Sequence, residues 1–257
     1  MKKKRILLKI GTNTLTKETD QISRGKIEDI GRQIASLKDG YEFIIVSSGA
    51  IAAARQFVKL EHNGADINVK QALAAIGQPH LMRIFQENFR ELGLFTSQCL
   101  LSYSDFEKPA SKINISNTIN VLVENNFIPI INENDTVATD EIQFGDNDKL
   151  AALTAALLKV DLLIIATNTD GIYTKDSIGN SLPETITEVS HIGDLKNEIG
   201  ASKSSHGTGG MLSKIEAATI AQAAGIETWI VNGLRDNFIT DAMDRKRKFT
   251  KIVNGRT

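Results

Sequence analysis

The sequence predicts an α/β protein: a mostly parallel central sheet with helices on both faces, a three-layer sandwich. Three observations lead there. Short aliphatic runs such as Ile6-Leu7-Leu8 and Leu162-Leu163-Ile164-Ile165 are apolar throughout rather than alternating, the pattern of strands buried on both faces. Stretches of helical periodicity separate them, as parallel connections require. No repeat of fixed period and no long linker interrupts the alternation, and the chain holds only 4 prolines.

The elements follow in order. Arg5–Ile10 reads as the first strand, followed by a turn-rich stretch from Gly11 to Asp20. Ser23 caps a helix carrying Ile27, Ile30, Ile34 and Leu37 at helical spacing, and Gly40 stops it. Phe43–Ser47 is a strand and Ala50–Lys59 a helix. Val69–Leu92 is helical, with a break expected at Gly77-Gln78-Pro79 because proline removes a backbone donor and clashes with the preceding turn. Phe95–Leu101 is a strand, Ile113–Asn125 a helix and Ile128–Asn132 a strand. Val137–Thr139 and Glu141–Phe144 form a small hairpin or flap closed by Gly145. Lys149–Leu158 is a helix, Leu162–Thr167 a strand, Met211–Ala224 an alanine-rich helix and Thr228–Asn232 a strand. A short helix at Phe238–Met243 and a strand at Phe249–Val253 finish the chain. The 257 residues suit a single domain, with two lobes meeting near residues 160–170.

Composition narrows the function classes. Thirty Lys and Arg against 31 Asp and Glu give a net charge of -1, so no global basic field points to nucleic acid. Arg245-Lys246-Arg247-Lys248 reads as a solvated face. The single cysteine, Cys99, excludes an internal disulfide framework and a cysteine-based zinc site, and its apolar neighbours give it a packing role. His62, His80, His191 and His206 are scattered without metal-ligand spacing, and no metal-binding residues are assigned. The run behind Lys2-Lys3-Lys4-Arg5 is too short for a signal peptide, and no apolar run reaches the length of a membrane span. A cytoplasmic location without membrane partners is expected.

In sheets of this kind ligands bind beyond the carboxyl ends of the strands. The first strand ends in Lys9-Ile10-Gly11: a point charge and a close-approaching amide that suit a phosphoryl group, or a surface lysine and a turn. Ser47-Ser48-Gly49-Ala50 runs into a helix and offers either an anion site or ordinary caps. Asn132-Glu133-Asn134-Asp135 and Gly145-Asp146-Asn147-Asp148 flank the flap, two acid/amide clusters able to hold an ammonium group, a metal or lysines. Thr167-Asn168-Thr169-Asp170-Gly171 ends another strand. The loop His206-Gly207-Thr208-Gly209-Gly210-Met211 opens a helix carrying Lys214, which suits phosphates through free amides and the helix dipole. P-loop, dinucleotide-fold and protein-kinase signatures are absent from the sequence.

Taken in order along nearly the whole chain, these segments resemble the amino-acid kinase family, and within it the enzymes that phosphorylate L-glutamate. Lys9-Ile10-Gly11-Thr12 and Gly207-Thr208-Gly209-Gly210-Met211 with Lys214 resemble motifs shared widely in the family. Ser48-Gly49-Ala50-Ile51-Ala52-Ala53, Asn132-Glu133-Asn134-Asp135 and Gly145-Asp146-Asn147-Asp148 resemble the glutamate-specific branch. The resemblance implies a carbamate-kinase-like sandwich, ATP as co-substrate, Mg²⁺, phosphorylation of the glutamate side-chain carboxylate at the head of proline synthesis, proline as feedback inhibitor, and a homodimer or homotetramer. It implies catalytic roles for Lys9, Lys214 and Asp148. Substrate contacts fall to Ser48, Gly49, Asn132, Asp135, Asp146 and Asn147. ATP contacts fall to Lys9, Gly11, Thr167, Asn168, Thr208, Gly209, Gly210, Met211 and Lys214. Relatives commonly carry Thr-Asp where this chain has Thr167-Asn168. Many also continue into an RNA-binding PUA domain, which is expected to be absent here. Another amino-acid kinase, or a non-catalytic sensor of an amino acid or nucleotide, are the competing readings.

Overall fold

The computed structural model describes residues 3–60, 66–138, 147–195 and 208–253. The apolar runs form strands β1 (Lys4–Ile10), β2 (Tyr41–Ser47), β3 (Phe95–Leu101), β4 (Phe127–Glu133), β5 (Leu162–Thr167), β6 (Glu188–Val189), β7 (Glu227–Asn232) and β8 (Thr250–Ile252). Among the described residues they make one sheet in the order β3-β4-β2-β1-β5-β7-β8-β6. Neighbours are parallel except β7 and β8. The mostly parallel sandwich expected from the sequence is the observed fold.

Helices cover both faces. On one lie α2 (Arg24–Leu37), α3 (Ala50–Arg55), α4 (Ile67–Arg90) and α8 (Phe238–Met243), packing Ile27, Ile30, Phe85, Phe89 and Ile239 against Ile6, Leu8 and Ile45 of the sheet. On the other lie α5 (Pro109–Glu124), α6 (Asp148–Leu158) and α7 (Thr208–Ala223), whose Ile119, Ala151, Ala155 and Ala217 meet Leu7, Ile44, Val46 and Ile165. Alternate residues of β1 and β2 thus enter opposite cores, and burial of each large aliphatic side chain contributes roughly 1.5–3 kcal/mol. Cys99 is half-buried against the second core, and burial pushes its thiol pKa up.

Three expectations change. The helix expected to break near Pro79 runs unbroken from Ile67 to Arg90. The carbonyl that Pro79 leaves without a donor belongs to Ala75, on the exposed side where water replaces the lost bond. On the buried side Gly77 lets the helix lie directly on α3: a Cβ there would sit 1.8 Å from the Ala50 carbonyl oxygen. Second, the stretch after β1 contains a short helix, α1 (Thr12–Thr16), where only turns were expected. Third, Val137 does not begin a strand. It closes a turn, with the Val137 and Ala138 N–H groups donating to the Asn134 carbonyl at 3.0 and 2.9 Å. The remainder of the expected flap, 139–146, lies outside the described residues.

Candidate active site

The sheet register places five strand ends on one rim. Ile10 pairs with Ser47 on one side and Ala166 on the other, Val46 pairs with Ile131, and Thr167 with Asn232. Beyond the rim follow Gly11, Ser48-Gly49, Asn134-Asp135, Asn168–Asp170 and Gly233. Gly49 has φ +96, a left-handed conformation open to glycine, and it turns the chain abruptly from β2 into α3.

Three buried charges meet at this rim. Lys9 comes from the last turn of β1, Asp148 from the first residue of α6 and Lys214 from the second turn of α7. Asp148 Oδ1 lies 2.6 Å from Lys9 Nζ, and its Oδ2 accepts from Lys214 Nζ at 2.9 Å and from Ser213 Oγ at 3.0 Å. Lys214 Nζ also donates to the Gly210 carbonyl at 2.8 Å. The Asp148 side chain is 0% exposed and that of Lys9 2%. Burial alone would push the Asp148 carboxyl up, but the two ammonium groups outweigh it and hold the pKa at about 2. Among the described residues both ammonium groups pair with Asp148, which gathers them in a place where charge is costly to bury. Two glycines border this cluster: a Cβ on Gly11 would make ordinary contact with Lys9 Nζ at 3.5 Å, and one on Gly210 with Lys214 Nζ at 3.8 Å.

Beside this cluster stands a group of amides. Asn147 Nδ2 donates to the Ser47 carbonyl and to Asn132 Oδ1, both at 2.8 Å, and the Glu133 N–H donates to the same Asn132 oxygen at 3.0 Å. Asn132 Nδ2 donates to Gln78 Oε1 at 2.8 Å. Ser48 Oγ and Asp135 Oδ1 are buried with no hydrogen-bond partner among the described residues. Such atoms cost roughly 1–3 kcal/mol each when left unmet, a cost a polar ligand removes. Burial raises the Asp135 pKa to about 6.

The other expected residues are placed less uniformly. Thr167 is buried at the end of β5, whereas Asn168 is exposed and donates to Glu18 Oε1 at 3.1 Å. Asp170 is gripped by Arg235 through two bonds of 2.8 and 2.7 Å and by Asn232 at 3.0 Å. Thr208, Gly209 and Gly210 form the first turn of α7. Met211, expected beside ATP, packs its side chain against the small core of Ile172, Val189 and Ile230. Asp146 lies outside the described residues. Sequence reasoning missed Ser213, whose only signal is its place beside Lys214 on the first turns of α7. It gives Gln78 no role, although Gln71–Gln78 is among the stretches that resemble the family, because its partner Asn132 is 54 residues away in sequence. Among the described residues no three His, Cys, Asp or Glu side chains converge as metal ligands.

The amino acid kinase family model matches residues 4–232, and the chain belongs to that family. It is 40% identical over 248 residues to a glutamate 5-kinase of Neisseria meningitidis, a match spanning 96% of this chain and 67% of that protein. A glutamate 5-kinase of Dehalococcoides mccartyi is 41% identical over 255 residues, spanning 97% of this chain and 68% of the relative. Among solved structures, carbamate kinase from Giardia lamblia bound to AMP-PNP superposes with a TM-score of 0.68 over 98% of each chain at 17% identity, a likeness of fold.

Proposed function

We propose that this amino acid kinase transfers the γ-phosphoryl group of ATP to the side-chain carboxylate of L-glutamate, giving L-glutamyl 5-phosphate and ADP, the opening step of proline synthesis. The observation that carries the reading is the buried pair of ammonium groups sharing Asp148. The names of the relatives support glutamate as the acceptor.

The chemistry follows from charge. A glutamate side chain titrates near ~4.3, so at neutral pH it is already a nucleophile and needs no general base. The barrier lies in bringing an anion against a polyanion, and catalysis is therefore alignment plus positive charge. Lys9 and Lys214 flank the transferring group, and the amides of Gly11, Gly49 and Gly210 add donors where charge accumulates. Asp148, held ionised, positions both lysines and takes no proton. Asp135 receives the ammonium group of glutamate. Asp146 faces that ammonium group as a second acid, Ser48 and Asn132 hold the carboxylates, and Asn147, whose two N–H groups go to Ser47 and Asn132, completes the pocket. Thr167, Asn168 and the Thr208–Met211 turn hold ATP, the turn through its backbone amides. Mg²⁺ neutralises phosphate charge and fits as an ion carried by the nucleotide, because it keeps phosphate and water ligands and no acidic cage stands among the described residues.

This division makes about 1–160 the glutamate-binding lobe and about 161–257 the ATP-binding lobe. Proline, with an ammonium and a carboxylate of similar spacing, inhibits by competing at Asp135 and Ser48. A second copy docks on the free edge of β3. Phe95, Leu100 and Phe127 are exposed there beside Ile113 and Val121 of α5, and α5 has no charged residue from Ile113 to Val123. A charge-free patch can meet its own copy across a twofold axis without repulsion. The reading places the enzyme in the cytoplasm, and no described helix is long and apolar enough to cross a membrane.

The test is ADP release with ATP and Mg²⁺, offering L-glutamate, L-aspartate, N-acetyl-L-glutamate and carbamate separately, with hydroxylamine to trap an acyl phosphate. Turnover and hydroxamate with L-glutamate alone support the reading. Turnover with another acid keeps the phosphoryl chemistry and overturns the substrate. No turnover with any of them favours an amino-acid sensor.

A further inference from the structure

One face of α4 touches the candidate site at three points. Gln71 and Gln78 are seven residues apart, two helical turns, and so share a face. Gln71 Nε2 donates to the Asp135 carbonyl at 2.9 Å, and Gln78 Oε1 accepts from Asn132 Nδ2 at 2.8 Å. The two glutamines therefore hold the two ends of the Asn132–Asp135 segment. Between them, Gly77 lies against the Ala50 carbonyl at the start of α3, directly after Ser48 and Gly49.

Gln78 also decides which way the Asn132 amide faces. An asparagine amide has nearly the same shape when turned over, so hydrogen-bond partners alone set its direction. On one side the Glu133 N–H, a fixed donor, claims Asn132 Oδ1. Asn147 donates to that oxygen too, and its own direction is set by the Ser47 carbonyl, a fixed acceptor. Asn132 must then present its NH₂ to α4, and Gln78 is the acceptor it meets. Gln78 Nε2 in turn donates to Gln98 Oε1 at 3.0 Å, on the exposed edge strand β3. Asn132 is 1% exposed and Gln78 8%, so water is not at hand to replace a lost partner.

We infer that Gln78, assisted by Gln71, is a positioning residue of the acceptor site: α4 braces the Asn132–Asp135 segment so that Asp135 and the Asn132–Asn147 pair stand ready for the amino acid. The inference rests on the glutamate-kinase reading and adds residues to it that touch neither substrate. Gln78→Leu removes the acceptor, strands the Asn132 NH₂ and lets the segment drift. The expected result is a rise of about tenfold or more in the KM for glutamate, with kcat and the KM for ATP within about threefold of wild type. Gln78→Glu keeps an acceptor for Asn132, and the exposed Gln98 amide can turn to donate to it. This variant should return the glutamate KM to within about threefold of wild type. Gln71→Leu should give a smaller rise in the same constant. If Gln78→Leu does not fold, Gln78→Met, unbranched and of similar length, reads the same split.

Equal rises in both KM values, or a glutamate KM unchanged in a folded Gln78→Leu or Gln78→Met protein, would overturn the inference. So would a Gln78→Glu variant as impaired as Gln78→Leu. Wild-type protein that does not turn over glutamate in the same assay overturns the substrate reading instead, and the two failures are thereby told apart.

Discussion

Two lysine–aspartate clusters in this molecule differ in exposure and in what they join. At the rim, Lys9 and Lys214 both pair with Asp148, and no side chain of the three is more than 10% exposed. Across the first core, Lys26 is fully buried and meets Asp29 at 3.2 Å and Asp236 at 3.1 Å, and it donates to the Arg235 carbonyl at 2.8 Å. Asp236 is 65% exposed and lies 3.8 Å from Lys17 Nζ as well, so this cluster opens to solvent at one end. Gln33 donates to Asp29 at 2.9 Å and accepts from the Ile239 N–H at 2.6 Å, while Asp29 accepts from the Asn237 N–H at 3.2 Å. The second cluster spends its polar atoms tying α2 to the start of α8. Burial of a lysine is thus poor evidence for chemistry. Two buried ammonium groups that meet at the carboxyl ends of the strands beside glycine amides are better evidence, because ligands of such sheets bind there.

Substitutions sharpen this contrast, starting with the largest effect. Lys9→Met should lower kcat by about 10³-fold while moving the glutamate KM far less, because its charge matters most as phosphate charge redistributes. Steady-state kinetics reads both. Asp148→Asn leaves two ammonium groups facing each other without their anion. It should destabilise the protein by about 3–5 kcal/mol and lower kcat as the lysines part. The native Asp148 pKa of about 2 lies below its ordinary value of 3.8. Its stabilising contribution is therefore full above pH 3.8 and lost as pH falls toward 2, so Asp148→Asn should flatten the acid limb of a thermal-melt series.

Asp135 behaves in the opposite sense. Its pKa of about 6 is raised by burial, so the ligand-free fold loses stability as pH rises from near 4 to near 6. Below pH 6 the carboxyl is neutral and the glutamate KM should climb, by at most about tenfold per pH unit. Asp135→Asn should raise that KM about 10²-fold yet melt higher than wild type at pH 8 without ligand. An unchanged KM would remove Asp135 from the acceptor site. The weakest effect belongs to Arg235→Ala, since the Arg235–Asp170 pair is partly exposed and contributes about 1 kcal/mol or less. Chemical denaturation measures it.

Most of the fold was legible because its central strands are largely apolar. β5 coincides with the apolar run Leu162–Thr167 and β3 with the expected strand Phe95–Leu101, and Ser23 caps α2 by accepting from the Lys26 N–H at 3.2 Å. The misreadings have a common cause. Pro79 and the threonine-rich turn after β1 were judged by local propensity, and packing overrode it. At the site, Lys9, Asp148 and Lys214 stood out as charges next to strand ends or helix starts. Ser213 did not, and Gln71 and Gln78 carried no role of their own, because a helix interior advertises its apolar period and conceals which polar partner it meets across the fold. The Asn168 amide donates to Glu18 and the Met211 side chain packs on a small core, directions that sequence spacing does not encode.

The most direct measurement compares Lys214→Met with Lys26→Met in one hydroxamate-trapping assay at saturating ATP and L-glutamate, with thermal melts of both. Lys214→Met should lose about 10³-fold in kcat. Lys26→Met should melt about 10 °C lower yet keep kcat within about threefold, the mark of a lysine that holds the fold together. Comparable losses of kcat in both, or a Lys214→Met protein with near-normal turnover, would contradict the assignment of the rim lysines to phosphoryl transfer.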